Sequence, residues 1–107
     1  MKDFLIELKT QTKVVEAIAY KIDNGQAYME ELKAYLPKLN QIVTEILKKI
    51  SDHMIDINQN FVLQVLNDII YGIEQDDAVI LEDVLRYGLI EIYEYVGIEL
   101  QSENRYE

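Results

Sequence analysis

The sequence contains no cysteine and no tryptophan, and only one proline and four glycines among 107 residues. The absence of cysteine excludes disulfide bonds, thiolate zinc sites, iron–sulfur clusters and cysteine nucleophiles. No run of 18 apolar residues is present, and Glu7 and Lys9 interrupt the apolar stretch that a secretory signal would need. The sequence therefore predicts a cytoplasmic protein without a transmembrane span.

Basic residues are scarce in the second half of the chain. Residues 1–53 contain eight acidic side chains and eight lysines, whereas residues 54–107 contain twelve acidic side chains and only two arginines. The second half thus carries the whole net charge of −10. A negative surface repels phosphate backbones and anionic lipids, which argues against binding to nucleic acid or membranes. The charge favours a basic or amphipathic protein partner, although acidity also keeps a small protein soluble.

Strand-like alternation is also missing, whereas helical hydrophobic periodicity recurs along the chain. The first helix is predicted from Asp3 to Ile22, with residues 23–25 (Asp-Asn-Gly) ending it in a left-handed conformation. A second helix contains seven apolar residues at alternating steps of three and four: Met29, Leu32, Leu36, Leu39, Val43, Ile46 and Ile50. Pro37 lies within this series, so the helix is predicted to be kinked or split there, and the unbroken series favours a kink.

Two more helices are predicted in the second half. Asn58 or Asn60 can cap the third, whose inward residues are Val62, Leu66, Ile69 and Ile73. Asp76 or Asp77 starts a fourth helix that continues to about Leu100. Its inward residues are Leu81, Leu85, Leu89, Ile92 and Val96, with Gly88 beside them for close helix packing. Helices of similar length with short connections are antiparallel neighbours, so residues 1–107 are predicted to form one all-α domain, an up-down-up-down four-helix bundle.

The residue types that carry metal or catalytic chemistry do not occur in the required patterns. A di-metal bundle site needs Glu-x-x-His pairs, but the only histidine is His53, and Ile50 lies three residues before it. Three residues match the first ligand positions of a calcium-binding loop: Asp56, Asn58 and Asn60. Phe61 then replaces the required glycine and Asn67 the bidentate glutamate. The sequence predicts no metal, no cofactor and no catalytic site.

The fourth helix has a second stripe opposite its inward residues. At about 100° per residue, this outer stripe contains Ile80, Asp83, Tyr87, Ile90 and Glu94. Tyrosine is enriched at protein contacts, and Tyr28 and Tyr35 share one side of the second helix. The combination of apolar and acidic residues predicts a partner-binding surface on the fourth helix. The alternative is that such rings lie along bundle edges with their hydroxyls in water.

Residues 77–92 (DAVILEDVLRYGLIEI) resemble the final helix of a family of small acidic helical proteins from Gram-positive bacteria. The family pattern is D-x-x-x-L-x-D-x-L-x-Y-x-L, and its positions are occupied by Asp77, Leu81, Asp83, Leu85, Tyr87 and Leu89. The resemblance implies a helical fold but no established activity. Proteins of this build are also similar in shape to flagellar and type III export chaperones, which is an analogy of shape alone.

These observations give three hypotheses for function. The leading one is a non-catalytic interaction module, adaptor or chaperone-like, that binds a basic or amphipathic protein through the outer face of the fourth helix. The second is a structural homodimer that pairs the same face about a two-fold axis. The third is a small-ligand carrier with a pocket inside the bundle, which predicts buried polar groups that the inward residues almost entirely lack.

Overall fold

A computed structural model describes residues 2–104, with the side chains of residues 3–102, so Met1 and residues 105–107 lie outside the described part. The helices are α1 (Lys2–Asp23), α2 (Met29–His53), α3 (Gln59–Gln75), α4 (Ala78–Val84), a π-helical segment (Leu85–Leu89) and α5 (Ile90–Asn104). The last three follow one another without a break and form the fourth helix. No strand occurs within residues 2–104. The predicted all-α, four-helix fold is confirmed.

The helices pack as antiparallel neighbours in a bundle of 45 × 24 × 21 Å. Lys21, near the end of α1, pairs with Glu31, near the start of α2, at 2.8 Å between Nζ and Oε1. Farther along the same two helices, Glu7 of α1 forms an ion pair with Lys38 of α2. The fourth helix packs against both α1 and α3, and α2 packs against α3, so α1 and α3 occupy diagonal corners.

Asparagine and aspartate side chains begin the last two helices. The Asn58 side chain accepts a hydrogen bond from the Asn60 backbone N–H at 2.7 Å, and Asp77 Oδ1 accepts from the Ile80 backbone N–H at 3.1 Å. Each cap satisfies a backbone donor that the first turn of a helix leaves without an intrahelical partner. Asn58 and Asp77 are therefore the residues that fix where α3 and α4 start.

Left-handed residues separate the helices. Gly25 has a φ of +67°, as the sequence predicts, whereas the other two turns use Met54 and Asp76, each with a φ of 51°. Helix α2 runs unbroken from Met29 to His53 with Pro37 inside it, so the helix is not split at this residue. The kink at Pro37 stays a prediction.

The core contains most of the inward residues that helical periodicity predicts, but in α3 Leu66 and Ile73 are only partly buried, whereas Val65 is buried. The inward residues of the fourth helix are at most 1% exposed: Leu81, Leu85, Leu89, Ile92 and Val96. Gly88 allows α3 to approach, because a Cβ there would lie 3.1 Å from Val65 Cγ2. A Cβ on Gly72 would lie 2.7 Å from Leu81 Cδ2, so the Leu81 side chain packs directly against the α3 backbone at this residue.

The π-helical segment changes the rotational phase of the fourth helix. The Ile90 backbone N–H donates to the Leu85 carbonyl, five residues back, instead of four. One extra residue in a turn rotates everything after it by about 100° relative to a continuous α-helix. Gly88, Leu89 and Ile90 are consequently all buried, although they are consecutive. Among the described residues, no helix is both long and apolar enough to cross a bilayer.

Candidate partner-binding groove

A shallow groove of about 330 Å³ runs between α3 and the fourth helix. It is lined by Phe61, Val65, Asp68, Ile80, Asp83, Val84, Tyr87 and Gly88. Val65 and Gly88 are buried and form its floor. The aromatic rings beside them are well exposed, Tyr87 at 66% and Phe61 at 47%. The groove therefore combines apolar walls with two carboxylates, and we call it the α3–α4 groove.

Local structure explains how these side chains converge. The cap at Asp77 begins α4 so that Ile80 and Asp83 face α3 within the first two turns. At Gly72 and Gly88 the missing Cβ lets Leu81 and Val65 pack directly against the backbone of the opposite helix. The side chains on either side of these contacts consequently lie near the surface, where a partner could reach them.

The structure brings together three of the five residues predicted for the outer stripe. Ile80, Asp83 and Tyr87 line the α3–α4 groove. Ile90 is only 7% exposed, so the prediction that it lies on the outer face is wrong. Glu94 is exposed but lines a separate groove between α1 and α5, and it is therefore not part of the same surface.

The π-helical segment is the physical reason for both differences. In a continuous α-helix, the outer stripe would pass from Tyr87 to Ile90 and Glu94. The extra residue of the π-helical segment shifts each later position of the stripe by one residue. Glu91 and Tyr95 are both exposed, as this shift requires. The Tyr95 hydroxyl donates to the Asp56 carbonyl at 3.1 Å, which places this ring beside the α2–α3 connection. The outer face of the fourth helix is therefore Asp83, Tyr87, Glu91 and Tyr95.

The sequence contains a signal for the burial of Ile90, but none for the position of Phe61 in the groove. The pairs Leu89-Ile90 and Ile92-Tyr93 follow one another too closely for a single narrow helical face, and this crowding indicates a change in helical pitch. Phe61 lies in the first turn of α3, next to its cap, and nothing in the spacing of α3 alone shows that this ring meets the fourth helix. Its place in the groove depends on tertiary packing.

The groove carboxylates have no cationic neighbour within the described residues of α3 and the fourth helix. Arg86 is the only basic residue there, and its Nε lies 2.9 Å from Glu82 Oε2 in an ion pair away from the groove lining. Asp68 Oδ1 accepts a hydrogen bond from neutral Gln64 at 2.8 Å. The charge of Asp68 and Asp83 is thus left uncompensated by this part of the protein.

The interior contains one polar pair that the sequence does not reveal. The hydroxyls of Tyr35 and Tyr93 lie 3.1 Å apart, and burial raises the pKa of both. Tyr35 is 7% exposed, which excludes the alternative that its hydroxyl lies in water. Tyr28, in contrast, is half-buried. Its burial and the nearby carboxylates of Asp76 and Asp77 raise the pKa of its hydroxyl. No fully buried side-chain nitrogen or oxygen among the described residues lacks a hydrogen-bond partner. Among these residues, an interior ligand would therefore meet no unpaired buried side-chain nitrogen or oxygen.

Comparison with known proteins gives no matching family model, no similar curated protein and no similar solved structure. The resemblance of the final helix to the Gram-positive family stays a prediction. Among the described residues, no group of three or more histidine, aspartate or glutamate side chains is placed to hold a metal ion. The geometry and charge of the α3–α4 groove are therefore the basis for inferring a function.

Proposed function

We propose that this protein is a non-catalytic interaction module, adaptor or chaperone-like, which binds a basic amphipathic helix of a partner protein in the α3–α4 groove. One observation carries the proposal: exposed aromatic rings, Tyr87 and Phe61, stand beside carboxylates that no cation of α3 or the fourth helix neutralises. An apolar contact surrounded by like charges favours a ligand with apolar residues and opposite charges.

The dimensions of this surface suit a helix. From Ile80 to Gly88 the fourth-helix side of the groove extends ~12 Å, at about 1.5 Å per residue, which matches about two turns of a partner. Helix-binding grooves recognise apolar residues at i, i+4 and i+7, and a partner's lysines or arginines on either side of them would meet Asp68, Asp83 and Glu91.

The aromatic and acidic residues have different expected effects. Burying an exposed tyrosine removes a large apolar area from water. Truncation of such a contact tyrosine to alanine frequently weakens the binding free energy by about 1 kcal/mol or more. Charges at the rim of a contact affect the association rate and partner selection more than the affinity. Tyr87 should therefore dominate affinity, whereas Asp68 and Asp83 should discriminate between basic and acidic partners.

A pair of model peptides tests the proposal. Both are amphipathic helices with leucines at i, i+4 and i+7, one flanked by lysines and the other by glutamates. Fluorescence anisotropy should show binding of the lysine peptide only, and Tyr87→Ala should weaken it about tenfold, equivalent to about 1.4 kcal/mol. Tyr20→Ala is the matched control, because Tyr20 is 58% exposed on α1 and lies outside the groove. Equal binding of the two peptides, or an unaffected Tyr87→Ala variant, would contradict the proposal.

A structural homodimer through the same face is the competing proposal. A two-fold axis would place Asp83 and Glu91 of one copy near the same acidic residues of the other, which costs energy at low salt. Light scattering of the wild type and of an Asp83→Asn, Glu91→Gln variant separates the two proposals. A symmetric dimer should become tighter when these charges are removed, whereas binding of the lysine peptide should weaken.

A further inference from the structure

The outer face of α1 combines exposed apolar residues with two lysines, which also border the groove containing Glu16 and Glu94. The residues of this outer face are Ile6, Lys9, Thr10, Lys13, Val14 and Ala17, which follow one side of the helix and which we call the α1 face. Ile6 is 57% exposed and Val14 is 36% exposed. Neither Lys9 nor Lys13 lies within ion-pair distance of a described carboxylate. This face therefore presents the exposed apolar side chains and lysines that the proposed partner of the α3–α4 groove should have.

Helix α2 shows that such a face is not a general property of this bundle. Over its whole length, Met29–His53, α2 exposes no large apolar side chain, although it also borders solvent. Its exposed positions include Lys33, Asn40, Thr44 and Lys48, as is normal for the solvent side of a helix. Exposed large apolar side chains thus distinguish α1, α3 and the fourth helix from α2.

We propose that the α1 face of one copy of this chain docks into the α3–α4 groove of a second copy. This inference rests on the proposed function, because it uses the same groove, and it identifies a basic amphipathic helix that fits. Ile6 and Val14 supply apolar contacts for the exposed rings of Tyr87 and Phe61. Lys9 and Lys13, one turn apart, supply the cations that Asp68 and Asp83 lack.

The positions of the two surfaces determine the kind of assembly. Because α1 and α3 occupy diagonal corners, the α1 face and the groove lie on different sides of the bundle. Each copy can therefore donate its α1 face to one neighbour while its groove receives α1 from another. Such a head-to-tail contact forms chains unless the rotation closes a ring, and a contact through one helix is smaller than a standard stable interface. The assembly should grow with concentration and remain reversible.

Charge reversal on each surface separately, measured by analytical ultracentrifugation of the full chain, tests the inference. Lys9→Glu with Lys13→Glu, or Asp68→Lys with Asp83→Lys, should each lower the self-association constant at least about tenfold. The aspartate variant is especially informative, because it makes the chain less negative and so reduces general repulsion. An equimolar mixture of the two variants should associate again, since each then meets a surface of opposite charge.

Matched controls place the same charge changes elsewhere. Lys33→Glu with Lys48→Glu lies on the exposed side of α2, and Asp23→Lys with Asp52→Lys lies outside both surfaces, so neither should change self-association. Circular dichroism checks the fold of every variant. If a reversal variant unfolds, the neutral Lys→Gln and Asp→Asn pairs replace it and should weaken association in the same direction.

Three results would overturn the inference: a wild type that stays monomeric at every concentration, a lysine variant that associates as the wild type does, or a mixture that fails to associate. None of these would remove the proposed function. The lysine-flanked peptide should still bind to the groove of the Lys9→Glu, Lys13→Glu variant, because that variant leaves the groove intact. Loss of peptide binding by the wild type would instead contradict the proposed function itself.

Discussion

The hydroxyl of Tyr35 lies 3.1 Å from the hydroxyl of Tyr93, across the interior of the bundle between α2 and α5. Both side chains are buried, at 7% and 1% exposure, so each hydroxyl depends on the other in place of water. A buried polar group without a partner costs about 1–3 kcal/mol. This pair therefore fixes how α2 and α5 face each other, a constraint that an entirely apolar contact would not impose.

Removing the second hydroxyl should cost less free energy of unfolding than removing the first. Tyr35→Phe leaves the Tyr93 hydroxyl buried without its partner, and Tyr93→Phe does the same to Tyr35, so each should lower the free energy of unfolding by about 1–2 kcal/mol. The double variant should be less destabilised than the sum, with a coupling of about 0.5–1.5 kcal/mol. Urea denaturation of the four proteins measures this cycle. Strictly additive effects would show that the hydroxyls do not interact.

Alkaline pH should destabilise the protein through the same pair. Burial raises the pKa of Tyr35 and Tyr93 above 10.0, so the folded state favours the neutral hydroxyls. Their stabilising effect is complete below pH 10 and is lost as pH rises toward the raised pKa values. Each tyrosine should increase the loss of unfolding free energy by up to about 1.4 kcal/mol per pH unit. Urea denaturation between neutral and alkaline pH should show a shallower loss for the Tyr35→Phe, Tyr93→Phe variant, and equal slopes would contradict the expectation.

Two glycines should respond oppositely to alanine. In Gly72→Ala the new Cβ would lie 2.7 Å from Leu81 Cδ2, and Leu81 is fully buried, so overpacking should destabilise the protein by about 1–3 kcal/mol. In Gly97→Ala the nearest atom, Leu8 Cδ1, is 3.9 Å away, and the higher helix propensity of alanine should stabilise the protein by about 0.5–1 kcal/mol. Thermal unfolding compares the variants. Destabilisation by both would show that α5 cannot accept a methyl group at Gly97.

Regular α-helical periodicity explains what was predictable from the sequence. Leu32, Leu39 and Ile46 of α2 follow a constant repeat, and all three are fully buried. The caps at Asn58 and Asp77 were predictable for the same reason, because they depend only on residues a few positions away. Local rules suffice wherever the helix geometry stays constant.

Tertiary contacts and the change of helical pitch explain the features that were not predictable from the sequence. Tyr35 and Tyr93 are 58 residues apart, so their pairing depends on how α2 and α5 pack and not on either helix alone. Ile90 and Glu94 were assigned to the outer face on the assumption of constant pitch, which holds as far as Tyr87. The π-helical segment then moves Ile90 into the core and Glu94 to the α1 side.

The π-helical segment predicts an unusual tolerance to deletion. Because its extra residue produces the phase change, deletion of Tyr87 should turn the fourth helix into a continuous α-helix with the inward faces of α4 and α5 still aligned. Tyr87 is 66% exposed, so its loss removes little of the core. The variant should unfold cooperatively, as the wild type does, in thermal and urea denaturation.

Deletion of Glu94 is the matched comparison, because this residue is also exposed but lies within regular α-helix. Removing it should rotate the rest of α5 by about 100° and turn Val96 and Leu100, both fully buried, toward solvent. Exposing such side chains costs about 1.5–3 kcal/mol each, so this variant should be strongly destabilised. If both deletions were equally damaging, the π-helical segment would not be the source of the phase change. If only the Tyr87 deletion is tolerated, the same variant can show whether the groove binds peptide without the tyrosine ring.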